Sequence, residues 1–342
     1  MMRILSELKK CLKFALISGF LLAAVFTGCN NPAEPEEGPT PSGPVIAWFN
    51  GLSATVDLYF PVSDSLVTTA YITGDVPNDL LYLGSDKFAI LSSTSAVLQV
   101  VDLSVSGSLL HEIAFPVGSN PWAMATGDGK LWVTLMLTNQ IVSISTADWT
   151  LDSAAVDVPD YPYGITLAEG NIFISHGDYW PEITPGGITV IDAVTLEETG
   201  WIDTGQNTTD LWYCSETGNI HAFSSTYTDD GVVSIIDPAT ATISAQVQTG
   251  GNPQSPVRVG STFACCNAFG STVFFYDESG SLLSTWEPDS SLTLAGIAVS
   301  GDTLYMTDFN ADMVYMAEWD TRTILDSLIA GDGPQGIVAV DR

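Results

Sequence analysis

Apolar and polar residues alternate in short runs from Val45 almost to the C-terminus. Stretches such as "GITVID" (187–192), "GVVSIID" (231–237) and "STVFFYD" (271–277) are rich in β-branched and aromatic residues and are separated by Gly, Asn and Asp. A period of two belongs to strands with one face turned to a core, and no stretch after Lys13 shows the 3.6-residue period of an amphipathic helix. The chain beyond Pro44 is therefore predicted to be all-β.

A longer beat organises these runs. Gly-x-x-Pro recurs at 74–77, 118–121, 250–253 and 331–334, with an eroded copy from Gly205 to Thr208 and looser ones ending at Pro162 and Leu294. Taken at 77, 121, 162, 208, 253, 294 and 334, the steps are 44, 41, 46, 45, 41 and 40 residues. An aspartate keeps the same time after an alternating run, at Asp64, Asp102, Asp148, Asp192, Asp237, Asp277 and Asp320. A threonine stands three places on in "DAVT", "DPAT" and "DTRT". Such a carboxylate accepts backbone N–H groups just ahead of it and closes a tight turn, so these aspartates are expected to be structural. Between markers each unit holds four short strands, as in "PWAMAT", "KLWVTLML", "QIVSIS" and "DSAAVDV" of the second unit. One such sheet cannot bury both faces, but a ring of them can, and the period is that of a propeller. The expected fold is an all-β, seven-bladed β-propeller with four-stranded blades.

The ends of the chain complete one another. Residues 45–73 supply three strands with no opening strand, and "PQGIVAVDR" (334–342) supplies an opening strand with no successors. The seventh blade is expected to be closed by both termini.

The unit of Gly-x-x-Pro, strand, Tyr-Val-Thr-Asn-like strand and strand-Asp-x-x-Thr resembles the YVTN repeat of bacterial and archaeal seven-bladed propellers, the YncE-like and surface-layer-associated proteins. "LWVTL" (131–135) and "LYMTD" (304–308) stand where that motif falls. The resemblance covers 45–342 and implies an extracytoplasmic propeller. It implies no one reaction, because a fold hosts many activities.

Ahead of the propeller, Arg3, Lys9, Lys10 and Lys13 precede the apolar run "FALISGFLLAAVF" (14–26), the n- and h-regions of a signal peptide. The run falls short of the ~20 helical residues that cross a bilayer. It ends in "FTGC", which resembles the lipobox of bacterial lipoproteins, and that resemblance makes Cys29 the acylated N-terminus of the mature chain. Residues 1–28 then form a lipoprotein signal peptide, 29–44 a Pro/Glu/Gly-rich tether and 45–342 the propeller. Asn30 is not the aspartate that favours inner-membrane retention, so the resemblance points to the outer membrane of a Gram-negative cell.

Charge narrows the partners. The chain carries 9 basic and 40 acidic residues, net −31; four basic residues and one acid precede Cys29, which leaves −34 beyond them. Such a surface repels phosphate backbones, so nucleic acid is not expected as a partner. Cations, cationic peptides and neutral sugars remain open. Cys214, Cys265 and Cys266 make no disulfide framework, and as neighbours on a strand Cys265 and Cys266 face opposite sides.

The loops that lead into first strands and those that join second to third strands should share one face, where propellers bind. The arc of units two to four differs from the rest there: Trp122 in "NPWA", Tyr161 and Tyr163 in "DYPYG", His176, Asp178, Tyr179 and Trp180 in the long loop "SHGDYWPEITPGG", and Tyr227 and Asp229 in "STYTDDG". Aromatic rings beside carboxylates suit a sugar or a cation. "DFNAD" (308–312) has the oxygen spacing of a calcium loop but lacks its later glycine and glutamate, which favours a hairpin turn. No catalytic grouping is expected; with three histidines in the chain, only His176 falls near the presumed pocket. The expectation is a non-catalytic, lipid-anchored binding or scaffold module for an envelope protein or glycan, touching the membrane through its lipid only and holding no cofactor or metal. The alternative is a lactonase-like hydrolase or lyase with an axial divalent ion, Ca²⁺ or Mg²⁺, reached by Asn50, Asn267 and Asp308 at second-strand ends.

Overall fold

The structure, a computed structural model, describes residues 43–104, 107–177, 186–205, 207–226 and 230–341. The described residues form seven four-stranded antiparallel sheets and one 3₁₀ turn, Met136–Thr138. No helix among them is long and apolar enough to cross a membrane. Each sheet is a blade whose first strand packs against the first strands of the two neighbouring blades, and the contacts close into a ring. These first strands are Pro77–Gly84, Pro121–Gly127, Pro162–Ala168, Thr208–Cys214, Pro253–Val259, Leu294–Ser300 and Pro334–Val340, of blades 1 to 7 in that order. The chain is a seven-bladed β-propeller.

Blade 7 joins the two ends of the propeller. Val45–Asn50 pairs antiparallel with Pro334–Val340, Val45 opposite Val340 and Trp48 opposite Ile337, and Thr55–Phe60 and Ser65–Ile72 follow outward. The alternation of its second strand shows why the ring holds. Val45, Ala47 and Phe49 pack with Leu80, Phe88 and Ile90 of blade 1, while Ile46 and Trp48 pack with Tyr305 and Val314 of blade 6. Because neighbouring strand residues point to opposite faces, each blade serves two cores. Seven apolar clusters lie one to each junction between blades, and Trp48, Phe88, Phe173, Phe223 and Phe263 are wholly enclosed there. Burial of each such side chain stabilises the ring by about 1.5–3 kcal/mol. Cys265 faces the blade 4 junction and Cys266 the blade 6 junction; both are free thiols acting as small apolar residues.

The repeating aspartates close turns as their spacing predicts. Asp192 accepts the N–H groups of Val194 (2.9 Å) and Thr195 (2.7 Å), and Asp237 accepts the N–H of Ala239 and the hydroxyl of Thr240. These bonds hold the Asp192 carboxyl below its ordinary value. Two copies depart from the pattern. Asp64 receives the Tyr59 hydroxyl, and at the end of Met313–Glu318 it is Glu318, not Asp320, that takes the Thr321 hydroxyl. "DFNAD" is a hairpin turn in which Asp308 accepts the N–H groups of Asn310 and Ala311.

Candidate functional site

Every first strand breaks its ladder at the same place. Register shifts fall just after Pro77, Pro121, Pro162, Thr208, Gln254 and Leu294, and the seventh between Trp48 and Asn50 opposite Pro334–Ile337. A bulge turns a backbone N–H and C=O out of the ladder, and these polar groups still need partners. The position two residues after each marker, at the bulge, is Asp79, Ala123, Gly164, Asp210, Ser255, Gly296 and Gly336 around the ring.

Two solutions supply the partners. In blades 2, 3 and 6 a hydroxyl comes from the second strand. Ala123 N–H donates to Thr134 Oγ1 (3.0 Å) and Gly164 N–H to Ser175 Oγ (2.8 Å), while the Thr307 hydroxyl bonds Gly296 O. Thr134 and Thr307 also donate to the next blade, at Tyr163 O (2.8 Å) and Gln335 O (3.0 Å). In blades 1 and 4 the residue opposite the bulge is apolar, Leu91 and Phe223, and the bulge residue itself is an acid. Asp79 accepts Leu80 N–H and, across the junction, Met124 N–H, both at 2.8 Å. Asp210 accepts Leu211 N–H (2.8 Å) and the backbone N–H of Ser255.

These bulges surround an axial cavity of about 1010 Å³. Its wall includes Asn78, Trp122, Tyr163, Thr209, Gln254, Ala295 and Gln335, one from each blade, with Phe49, Asn252, Asn267 and Phe269. Among the described residues, Asp79 and Asp210 are the only charged side chains in that wall, and no histidine, cysteine or lysine joins them. They stand three blades apart in a ring of seven, nearly across the axis. Burial raises Asp79 to about 7, helped by the charge of Asp210, and raises Asp210 to about 6; the backbone N–H groups oppose both shifts without cancelling them. Both side chains lie deep in the protein while keeping some surface on the cavity.

The wall leaves polar atoms without protein partners. Thr209 is 8% exposed and its hydroxyl makes no bond, nor do Asn78 Nδ2 and Asn252 Oδ1. Of the wall residues Phe269 is 60% exposed, and Leu52, outside the wall, is 63% exposed. Phe269 meets Phe309 edge to face at 5.6 Å, and Leu52 and Phe309 flank Gly333. Phe269 has φ +60°, a strained conformation for a bulky residue. Hydrogen bonds to blade 6 hold it there: Phe269 N–H donates to Leu294 O, and Leu294 N–H to Gly270 O.

The candidate residues from units two to four are distributed differently. Trp122 and Tyr163 line the cavity and meet edge to face at 5.1 Å. Tyr161 is half-buried and is not part of the cavity wall; its N–H is held by Asn139 Oδ1. His176 is fully buried. Its ring lies 5.5 Å from Trp201 and its nitrogens bond Asp160 O and Thr189 Oγ1, in a site where burial lowers its pKa to about 4. Asp178, Tyr179, Trp180, Tyr227, Asp229 and Cys29 lie outside the described residues. Asn50, Asn267 and Asp308 do stand at equivalent second-strand ends, opposite Pro334, Pro253 and Leu294. Of the three, Asn267 alone reaches the cavity wall. Asp79 and Asp210 went unmarked in the sequence, although "PNDLL" and "TTDLW" place an Asp-Leu pair at the same offset in units one and four.

No family model matches the chain, and no curated protein matches it. Solved structures do. The chain is similar to apo AztD from Citrobacter koseri at 11% identity and a TM-score of 0.65, over 88% of this chain and 98% of that one. A streptogramin B lyase matches at 14% identity and a TM-score of 0.65, over 88% and 93%. The dihydro-heme d1 dehydrogenase NirN in complex with DHE matches at 11% identity and a TM-score of 0.63, over 90% and 77%. At these identities the likeness is one of fold.

Proposed function

We propose that this chain is a non-catalytic binding module of the cell envelope, anchored through a lipid on Cys29 in the outer membrane of a Gram-negative cell, which holds a group of an envelope component in the axial cavity. One observation carries this reading. The cavity is large enough for a ligand of ordinary size, and its wall combines rings, unpartnered polar atoms and two acids. The signal-like leader, the acidic surface and the resemblance to extracytoplasmic propellers support the location, and the charge speaks against nucleic acid.

The hydrolase or lyase reading draws support from a fold shared with a lyase, and the donors support it less. Asp308 is spent on turn N–H groups, Asn267 Oδ1 accepts the Asn252 N–H, and both Asp79 and Asp210 already accept two backbone N–H groups, so that of the candidate donors only Asn50 Oδ1 has no partner, and Asn50 does not line the cavity. Among the described residues no three His, Cys, Asp or Glu side chains group as metal ligands.

Ala295→Trp tests the binding reading by filling the cavity from the blade 6 wall. Fragments of amine, sugar and peptide type that bind the full-length protein by ligand-observed NMR are expected to lose binding in the variant at unchanged melting temperature. Retention of all of them would remove the cavity as the site.

A further inference from the structure

Three features of the cavity exceed what the fold requires. The first is the acid pair. Blades 2, 3 and 6 satisfy the same bulge with a neutral hydroxyl, and Ser255 makes the same reach across a junction that Asp79 makes, accepting Ile297 N–H at 2.9 Å. An uncharged side chain therefore does this structural work within the same molecule, while a buried carboxylate adds a desolvation cost. The second feature is Thr209, which neighbours Asp210 in the wall and keeps a buried hydroxyl with no protein partner, as Asn252 keeps a carbonyl oxygen. The third is Phe269, a wall residue presented to solvent in a strained backbone conformation and backed edge to face by Phe309. Buried acceptors and an exposed ring in one wall define the two ends of one ligand.

Resting on the reading of this cavity as the binding site, we propose that its occupant is an amphipathic ammonium group: a primary or secondary amine on an aromatic or branched apolar body. Its N–H donors turn to the carboxylates of Asp79 and Asp210, with Thr209 beside Asp210 in the wall, and its body lies against Phe269 and Trp122. N–H donors distinguish it from a quaternary ammonium, which could not bond those oxygens. Among its described residues the wall supplies no competing cation, and the acidic surface draws cations toward it.

A pH signature belongs to this assignment. Asp79 and Asp210 face one another's charge, and the thiols of Cys265 and Cys266 lie near Asp210 but stay protonated, held well up by burial. Tyr163 is the one other titratable side chain among the described residues of the wall. With Asp79 raised to about 7 and Asp210 to about 6, a bound cation favours their ionised forms and expels protons. Affinity therefore rises with pH between about 5 and 8.

Calorimetric titration of the full-length protein at pH 8 tests the proposal with phenethylammonium, its neutral isostere 2-phenylethanol, and benzyltrimethylammonium. Phenethylammonium is expected to bind about 30-fold tighter than the alcohol, since an unmatched buried charge costs that much or more, and tighter than the quaternary ion. Asp79→Ser and Asp210→Ser, which copy the solution that Ser255 provides, should each lose about 10-fold or more, and Phe269→Ala about 5-fold. Thr209→Val should weaken binding without lowering the melting temperature. The side-chain amine of Nα-acetyl-lysine amide, carried on an unbranched chain, is expected to bind more weakly than phenethylammonium, and binding as tight would overturn the aromatic or branched body. Equal affinity for amine and alcohol, or indifference to both serine variants when Ala295→Trp abolishes binding, overturns the ammonium and leaves the cavity. Indifference to Ala295→Trp as well overturns both.

Discussion

Blades 1 and 4 differ from blades 2, 3 and 6 in one exchange. Where the second strand offers Thr134, Ser175 or Thr307, the bulge residue is Ala or Gly; where the second strand offers Leu91 or Phe223, the bulge residue is Asp. Oxygen is supplied to the bulge either way, but from the junction side in one case and from the channel side in the other. The hydroxyl route leaves the channel wall neutral. The carboxylate route places ionisable oxygen on it, at the expense of burying charge. A ring needing only closure could use the neutral route throughout, as Ser255 shows by accepting the Ile297 N–H without a charge, so closure does not require the pair of acids.

Moving an acid to the wrong blade breaks the comparison most severely. A Cβ at Gly164 would come within 2.8 Å of Leu211 N and 3.0 Å of the Asp210 Cα, backbone atoms of blade 4 that have no room to shift. Gly164→Asp is expected to cost about 3 kcal/mol or more, read as a lowered midpoint in denaturant unfolding. A cost under about 1 kcal/mol would mean that acids are interchangeable around the ring, and that nothing fixes the pair nearly across the axis.

Removing a hydroxyl is the next largest effect. Thr134→Val keeps the shape of the side chain but strands Ala123 N–H and removes a donor from Tyr163 O. A loss of about 1–3 kcal/mol is expected by the same measurement. The double variant Thr134→Val with Ala123→Asp rebuilds the arrangement of blades 1 and 4, and recovery of part of that loss would show the two routes to be exchangeable where space allows. Full additivity of the two losses would show that they are not.

The repeat made the ring legible because it is written twice, once in turn markers at 40 to 46 residue steps and once in the alternation that feeds two cores from each blade. The closing of blade 7 followed from counting alone. The site was less legible for a physical reason: a channel wall is assembled from one or two residues per blade, far apart in sequence, so no local motif announces it. Trp122 and Tyr163 stood out as large rings near turns, and the structure places both in the wall. His176 stood out too, as a histidine beside a long loop, yet it is bonded inside the blade. Asp79 and Asp210 look in sequence like ordinary strand-start acids. Only the register, which sets each against Leu or Phe instead of Thr or Ser, shows that they replace something.

The last predicted effect isolates the charge itself. In the folded state Asp79 titrates at about 7 against an ordinary value of 3.8, so between those values the folded protein holds a proton that the unfolded chain releases. Stability from this group is therefore greatest below about pH 4, declines as pH rises to about 7, and is flat above. Asp79→Ser removes that decline and adds a constant loss from the altered bonds to Leu80 and Met124. Buried His176 and His221, both lowered to about 4, contribute the opposite slope, with stability lost as pH falls from about 6.5. They are common to both proteins and cancel in the difference. Unfolding free energies of variant minus wild type should rise by about 2 kcal/mol from pH 4 to pH 8, the full shift being reduced because Asp79 keeps part of its surface exposed. A flat difference would mean that Asp79 is ionised as readily as any surface acid, and the contrast between the two kinds of blade would then be one of shape alone.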